Sequence, residues 1–442
     1  MKLFGTTFLA TRICLFFTSL GIGLLMYFLS RRICRLYATL PCVLLAGTYF
    51  GGLWPTISHH VDSNCVALAS VACCILWMET RRSSFLFAAG VMAGVTTCIL
   101  QPKGILLLLS LLLWLWTQHR RSLISKLEPA LLTVGYFGVV VLTLFYFWWH
   151  GALRDILDAN LVWPFKNYGV VNSVPYAQGL ITRLWGTWTF AKHGFGIGIG
   201  ALLMVPFVLI AALPAVLPIL GSWCRRNSTR PEVTLYWFCG SALWLSEIHR
   251  KDIVHLIFGS ALLIILCVFY LGEIQSKGSV LALQIIAIGA TCLAVANLVI
   301  ALLAHPMATS VGSVAVSQPD ALLSQLEQKT APGDEIFAYP YCPMYYFLSA
   351  TTNPTRYSIL IYGYNSPPQF DEVVRVLEQR HVKYIVWNAI YRDGASRSFV
   401  PTAKSSGTDS LIIEPYLEAH YRIVWADEGT RLLERKIDRG GN

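Results

Sequence analysis

The densest group of ionisable residues in the sequence is Glu247-Ile248-His249-Arg250-Lys251-Asp252-Ile253-Val254-His255, which joins two apolar segments. The side chains of Arg250 and Lys251 suit a lipid-linked phosphate or pyrophosphate, the first as a planar fork and the second as a point charge. If a helix has begun by Asp252, His255 shares its face three residues later. The alternative is a solvated turn that binds nothing.

A second polar segment, Ser58-His59-His60-Val61-Asp62-Ser63-Asn64, precedes another apolar run. A carboxylate beside two imidazoles could act as a general base or hold a divalent metal ion. In the alternative interpretation, Asp62 and Ser63 cap a helix. The segment makes Asp62 a candidate catalytic residue and makes His59 and His60 candidate ligands.

A single cation, Lys103, stands in Gln101-Pro102-Lys103-Gly104 between two strongly apolar runs. It could pair with a phosphate. It could also mark a membrane interface, with its apolar stem buried and its ammonium in water. Pro102 and Gly104 permit either a tight hairpin or a break in one long helix here.

The composition defines the elements that must position these residues. The 442-residue chain is 55% hydrophobic and 13% charged, whereas soluble domains carry about 25% charged residues. This excludes a soluble enzyme, a disordered protein and a disulfide-rich secreted module. Runs of about 17–25 apolar residues can span a bilayer, and ten runs are predicted to do so: 11–30, 37–54, 65–79, 85–101, 104–117, 129–149, 196–220, 233–247, 254–272 and 280–303.

Charge is distributed unevenly along the chain. Residues 1–303 contain 21 basic and 9 acidic residues, whereas residues 304–442 contain 13 basic and 15 acidic residues. In the short loops, twelve basic residues fall on one predicted side of the membrane: Arg31, Arg32, Arg35, Arg81, Arg82, Arg120, Arg121, Lys126, Arg225, Arg226, Arg230 and Lys277. Only Lys103, Arg250 and Lys251 fall on the other. The positive-inside rule makes the first side cytoplasmic, and such a pattern argues against nucleic-acid binding.

The tail alternates helical and strand patterns, which predicts a small extracytoplasmic α/β domain. Residues 1–303 would form the transmembrane domain and residues 304–442 this second domain. The predicted elements are helices at Ala321–Gln328 and Pro368–Arg380, strands at Glu335–Tyr339 and Lys383–Trp387, and a hairpin of Tyr421–Ala426 with Thr430–Lys436.

Several of these stretches together resemble the GT-C membrane glycosyltransferases, and more narrowly bacterial proteins of the protein-mannosyltransferase and lipid A aminoarabinose-transferase type (glycosyltransferase family 39-like). The stretches are Lys2-Leu3-Phe4-Gly5 followed by Ala10-Thr11-Arg12, Asp62 before a span, Lys103, Arg250 to His255, Asn353-Pro354-Thr355-Arg356-Tyr357, Tyr364, and Val382-Lys383-Tyr384-Ile385-Val386.

The resemblance implies an integral enzyme of the bacterial inner membrane. Such enzymes transfer a hexosyl or pentosyl group from a polyprenyl-phosphate donor to a glycan, lipid or protein acceptor on the extracytoplasmic face. It also implies that Lys103 and Arg250, helped by Lys251 and His255, bind the carrier phosphate, and that an acidic residue activates the acceptor. Asp62 is then the candidate catalytic residue, with Asp252 as a further candidate. The resemblance names no cofactor, and the option of a divalent metal ion comes from the carboxylate of Asp62 beside the imidazoles of His59 and His60.

In the family, a first span and an outer loop with the main catalytic acid precede the Phe-Gly…Arg stretch. Here Met1 stands beyond that loop, and no acidic residue occurs before Asp62. The sequence therefore predicts that this span and loop are missing and that the chain could be inactive. Two alternatives remain: a lipid or sugar transporter or flippase, which should show internal repeats that the sequence lacks, and a non-catalytic lipid-binding relative.

Overall fold

The computed structural model describes residues 7–49, 58–120, 127–164, 174–194, 196–224, 230–316, 318–362, 365–388, 411–427 and 429–436. They form two compact units. Of the described residues, those in 12–162 and 174–302 build a helical unit. Those from 303 onward, with residues 7–11 and 163–164, build a C-terminal unit. The assignment of separate functions to 1–303 and 304–442 stays a prediction.

The helical unit is made of apolar helices joined by short connections. In chain order these are α1 (Phe8–Cys34), α2 (Leu40–Tyr49), α3 (His59–Thr80), α4 (Ser83–Ile99), α5 (Gln101–Arg120), α6 (Leu127–Trp149), α7 (Leu153–Leu157), α8 (Leu180–Gly194), α9 (Gly196–Trp223), α10 (Pro231–Ser246), α11 (Ile253–Gly259), α12 (Ala261–Ile274) and α13 (Lys277–Leu303). Every residue from Ala261 to Tyr270 is buried. An apolar helix buried on all sides lies at the centre of its unit, so α12 is the central helix of the helical unit.

By length and composition, five helices in the described part of the chain can cross a membrane: α1 continued to Tyr37, α3, α6, α9 and α13. Helices α11 and α12 together are long and apolar enough to form a sixth span, although the two helices meet at an angle of 73°. We call this pair the broken span. The predicted runs 37–54, 85–101 and 233–247 fall on the shorter helices α2, α4 and α10, with 50–54 outside the described residues, and 104–117 falls on α5. The predicted class, a polytopic α-helical membrane protein with a C-terminal α/β domain, is confirmed. The topology of ten spans stays a prediction.

The chain reverses direction between α4 and α5, where Leu100 alone separates the two helices. A Cβ atom on Gly104 would overlap Thr97, seven residues earlier. In one continuous helix these residues would be about 10 Å apart. The hairpin is therefore the alternative that the structure adopts, and it requires glycine at position 104.

A second close approach sets the packing of α10 against α11. A Cβ atom on Gly259 would meet the Leu243 carbonyl oxygen and the Trp244 Cα at 2.9 Å and the Glu247 Cγ at 3.3 Å. Because Gly259 has no side chain, the end of α11 can lie directly against the last turns of α10. This brings Glu247 beside the broken span.

The C-terminal unit contains a four-stranded sheet in the order β3-β4-β6-β5 and a separate hairpin, β1-β2. Strands β3 and β4 are parallel, and the other pairs are antiparallel. The elements are β1 (His305–Thr309), β2 (Gly312–Val316), α14 (Ala321–Lys329), β3 (Ile336–Tyr339), α15 (Met344–Leu348), α16 (Pro367–Gln379), β4 (Tyr384–Asn388), α17 (Ile413–His420), β5 (Tyr421–Asp427) and β6 (Thr430–Arg435). The predicted helices and strands of the tail are confirmed, whereas the hairpin β1-β2 and the helices α15 and α17 were not predicted.

Candidate functional site

The centre of the site is a fully buried ion pair that joins α5 to the end of α10. The Lys103 Nζ lies 2.8 Å from the Glu247 Oε1, and neither side chain is exposed to solvent. Lys103 also donates a hydrogen bond to the Asn64 Oδ1 at 2.9 Å, and the Asn64 amide in turn donates to the Phe258 carbonyl. Four helices, α3, α5, α10 and α11, thus meet through one chain of polar contacts inside an apolar unit.

Two imidazoles extend this cluster. The His60 Nδ1 lies 3.3 Å from Oε1 and 3.2 Å from Oε2 of Glu247. The His60 ring stacks on Phe258 and meets the His255 ring edge-on, with 4.7 Å between the two imidazole centroids. We call His60, Asn64, Lys103, Glu247 and His255 the buried cluster.

Asp252 organises the turn that leads into α11. Its Oδ1 accepts hydrogen bonds from the backbone N–H groups of Val254 and His255, as an N-cap does. The same oxygen lies 2.9 Å from the His255 Nδ1, and Oδ2 accepts a 2.9 Å bond from the Arg250 Nε. Burial alone would raise the pKa of Asp252, but the bonds from His255 and Arg250 outweigh it and lower the pKa to about 2. The carboxylate is therefore ionised at neutral pH, and it holds both side chains in place.

The backbone of this turn is held by a segment ahead of α8. Ala177 donates its N–H to the Lys251 carbonyl at 2.7 Å, and Ile253 donates to the Gln178 carbonyl at 3.0 Å. Arg250 and Lys251 are both half-buried. Among the described residues, none bonds to the Lys251 ammonium.

The structure brings together most, but not all, of the predicted site residues. Lys103, His60 and His255 lie in the buried cluster, and Arg250, Lys251 and Asp252 form the adjoining turn. Asp62, in contrast, accepts a 3.3 Å hydrogen bond from Thr18 of α1. It is two positions beyond His60, which places it about 200° around the helix. His59 is exposed and shares the Asp62 side of α3, so the predicted trio of His59, His60 and Asp62 does not form one ligand set.

Lys103 was predicted to bind the carrier phosphate, but the structure buries its side chain completely. Its ammonium is buried against Glu247 and Asn64 and has no exposed surface, so a phosphate at the protein surface cannot contact it in this arrangement. Sequence reasoning missed Glu247 and Asn64 as site residues, although both lie in the polar segments it examined. The sequence signal for Glu247 is its position as a carboxylate at the end of an apolar helix. A carboxylate buried at such a position needs a cation as its partner.

The resemblance also rests on stretches elsewhere in the chain. Asn353 to Tyr357 form a local turn in the C-terminal unit, in which the Asn353 side chain bonds to the Thr355 N–H and the Tyr357 carbonyl. Residues 2–5 and Tyr364 lie outside the described residues.

No protein-family model and no curated protein sequence matches the chain. Among solved structures, the chain is similar to an oligosaccharyltransferase of Archaeoglobus fulgidus in its apo form, with a TM-score of 0.53 and 12% identity over 94% of this chain and 69% of that chain. It also matches ArnT from Cupriavidus metallidurans bound to undecaprenyl phosphate (TM-score 0.48, 12% identity, 98% and 85% of the two chains). A third match is the same archaeal enzyme tethered to an acceptor peptide that contains the NVT sequon. Its TM-score is 0.48 and its sequence identity is 10%, over 96% of this chain and 62% of that chain.

The similarity to the apo oligosaccharyltransferase concerns the fold. Together with the apolar helices and the C-terminal α/β region, it defines the class: the chain has a GT-C-like membrane fold. The fold expected from the sequence resemblance is thereby confirmed. The narrower mannosyl- or aminoarabinose-transferase subgroup stays a prediction.

Proposed function

We propose that the chain is an integral-membrane glycosyltransferase of GT-C type, which transfers a sugar from a polyprenyl-phosphate donor to an acceptor at the extracytoplasmic membrane face. The observation that carries this proposal is the turn of Arg250 and Lys251. Two adjacent cations stand there at the start of a broken span, on a GT-C-like fold, held by Asp252 and by the backbone of residues 177 and 178.

The chemistry of transfer explains why this turn suits the reaction. As the bond to the anomeric carbon breaks, the sugar becomes oxocarbenium-like and the leaving phosphate gains negative charge. Cations that contact this phosphate stabilise the transition state more than the ground state. Arg250 and Lys251 are the proposed phosphate-binding residues. Lys103 supports them indirectly in this proposal, because it neutralises Glu247 and so keeps a buried carboxylate from repelling the donor.

The general base is the second part of the proposal. Asp62 remains the candidate, because it is a half-buried carboxylate in the first turn of α3 that accepts a hydrogen bond from Thr18 of α1. A base must reach the acceptor hydroxyl directly or through one water molecule. Asp62→Asn keeps the shape and the Thr18 contact but removes the base, so it separates this role from a structural one.

The experiment uses membranes that contain the parent protein or a variant, together with a synthetic polyprenyl-phosphate sugar carrying a labelled sugar. The parent should release polyprenyl phosphate and transfer label to an endogenous acceptor. Arg250→Ala and Asp62→Asn should each reduce that release by at least about tenfold, the effect of roughly 1.4 kcal/mol in transition-state binding. Arg82→Ala is the matched control, because Arg82 is an exposed arginine at the start of α4.

Two other functions give different results in the same experiment. A flippase would move the labelled lipid across a proteoliposome bilayer without releasing polyprenyl phosphate. A non-catalytic lipid-binding relative would bind the donor through Arg250 and neither release nor translocate it. Parent membranes that release no more polyprenyl phosphate than membranes without the protein would contradict the proposed transferase.

A further inference from the structure

The buried cluster contains three side chains of the kind that bind transition metals. One ligand atom each from His60, Glu247 and His255 lies within 4.8 Å of the other two. Two imidazoles and one carboxylate, from three different helix ends, form a ligand set that zinc enzymes use with a fourth position left open. This set differs from the trio that the sequence predicted, because Asp62 and His59 are replaced by Glu247 and His255.

A second observation points to a cation at this place. The Glu247 Oε2 is fully buried, and no described residue donates a hydrogen bond to it. It lies 3.2 Å from the His60 Nδ1. Adjacent ligands of a tetrahedral zinc ion with bonds of about 2.0–2.1 Å are separated by roughly 3.3 Å. These two atoms are therefore already spaced as ligands of one ion, and within the described part of the chain Oε2 accepts no hydrogen bond.

The third ligand is prepared by its neighbour. The His255 Nδ1 bonds to Asp252 at 2.9 Å, so the Nε2 is the nitrogen left for a metal. A carboxylate bonded to the remote nitrogen of a metal-binding histidine sets its tautomer and orientation and makes it a stronger ligand. Asp252 would be such an outer partner, while Lys103 bonds to the other oxygen of Glu247.

We propose that His60, Glu247 and His255 form a binding site for one divalent transition-metal ion, for which Zn²⁺ is the best fit. The site is independent of the proposed transferase activity, and metal content tests it directly. The ligand atoms of the three side chains lie up to 4.8 Å apart, whereas the ligands of a tetrahedral zinc ion lie roughly 3.3 Å apart. Small rotations of the three side chains around the ion would close this difference.

The first experiment measures metal in the purified full-length protein by mass spectrometry after passage over a chelating resin, and after reloading with Zn²⁺. The parent and His59→Ala should retain about one equivalent, because His59 lies next to His60 in the chain but outside the set. His60→Ala and His255→Ala should fall to the background of a detergent blank. Asp252→Ala should bind Zn²⁺ about 10- to 100-fold more weakly, the usual effect of losing an outer partner.

Lys103 provides the sharper test, and it does not depend on a variant that loses a ligand. In the loaded site, its ammonium and the metal ion share one carboxylate and repel each other. Lys103→Met should therefore bind Zn²⁺ more tightly than the parent, by on the order of tenfold. Because the variant is also expected to be less stable, the comparison is made on Lys103→Met protein that remains folded at the assay temperature. If that folded variant binds Zn²⁺ no more tightly than the parent, the result contradicts the proposed site.

Cobalt gives a readout of coordination in the parent protein itself. Replacement of the bound ion by Co²⁺ should produce the visible absorption of a tetrahedral nitrogen–oxygen site, and the signal should disappear in His255→Ala. Another divalent transition metal at one equivalent, lost in the same variants, would support the site with a different ion. No metal above background in the parent after reloading, or equal metal in the parent, His60→Ala and His255→Ala, would overturn the proposal.

Discussion

Lys103 and Glu247 form an ion pair with 2.8 Å between Nζ and Oε1, and both side chains are completely buried. The pair connects the first turn of α5 to the residue that ends α10, so residues 144 positions apart in sequence depend on each other. Each charge is tolerable in this apolar unit because of the other. The pair also sets the charge of the buried cluster, beside the turn of Arg250 and Lys251.

Removal of either partner alone should destabilise the helical unit strongly. Lys103→Met and Glu247→Leu each leave one uncompensated buried charge, which costs about 3–5 kcal/mol. The double variant should lose much less than the sum of the two, because two apolar side chains replace a pair. Thermal unfolding in detergent with a chelator present measures all four proteins, and strictly additive losses would show that the two side chains do not interact.

Gly259 should tolerate no side chain. In Gly259→Ala, the new Cβ would meet the backbone of Leu243 and Trp244 at 2.9 Å, and overpacking of this kind typically costs about 1–3 kcal/mol. The matched control is Gly138→Ala in α6, where nothing lies within 4 Å of the new atom. Unfolding temperatures in detergent should fall for the first variant and stay level or rise for the second. Equal temperatures would contradict the close packing of α10 and α11.

The sequence predicted the elements well and the partners of the charged residues only in part. Apolar runs predict helices because the apolar residues that a helix buries are visible in its own local sequence. In α16, for example, the apolar residues Phe370, Val373 and Leu377 recur at helical spacing and are all buried. The turn at Arg250 to His255 was found because charges between apolar runs are conspicuous. The pairing of Lys103 with Glu247 is a contact across the fold, which no local pattern reports. The same holds for His60, whose partner is Glu247 and not Asp62.

The C-terminal unit should fold without the membrane helices. Residues 303–442 contain their own buried apolar clusters, which include Phe337, Phe370, Ile385 and Leu433. Expressed alone, this segment should unfold cooperatively in urea and should resist limited proteolysis in the sheet. A protease-sensitive product without a cooperative transition would mean that the sheet needs the rest of the chain.

Both ends of the chain are expected on the extracytoplasmic side. Twelve basic residues in the opposite set of short loops, against three on this side, give this orientation. A reporter that is active only in the cytoplasm, fused after Asn442, should be silent, and the same reporter inserted after Arg120 should be active. The reverse pattern would place the Arg250 turn on the cytoplasmic face, where the proposed donor site cannot lie.

Binding of polyprenyl phosphate to the purified protein in nanodiscs tests the central claim most directly. Two cations on one phosphate each contribute charge-assisted hydrogen bonds worth roughly 1.5–3 kcal/mol. Arg250→Ala and Lys251→Ala should therefore weaken binding by about tenfold to a hundredfold. Arg250→Lys, which keeps the charge but loses the planar fork, should fall between the parent and Arg250→Ala. The control Lys277→Ala removes an exposed lysine at the start of α13 and should bind like the parent. If all three turn variants bind polyprenyl phosphate as tightly as the parent and Lys277→Ala do, the turn is not the carrier-phosphate site.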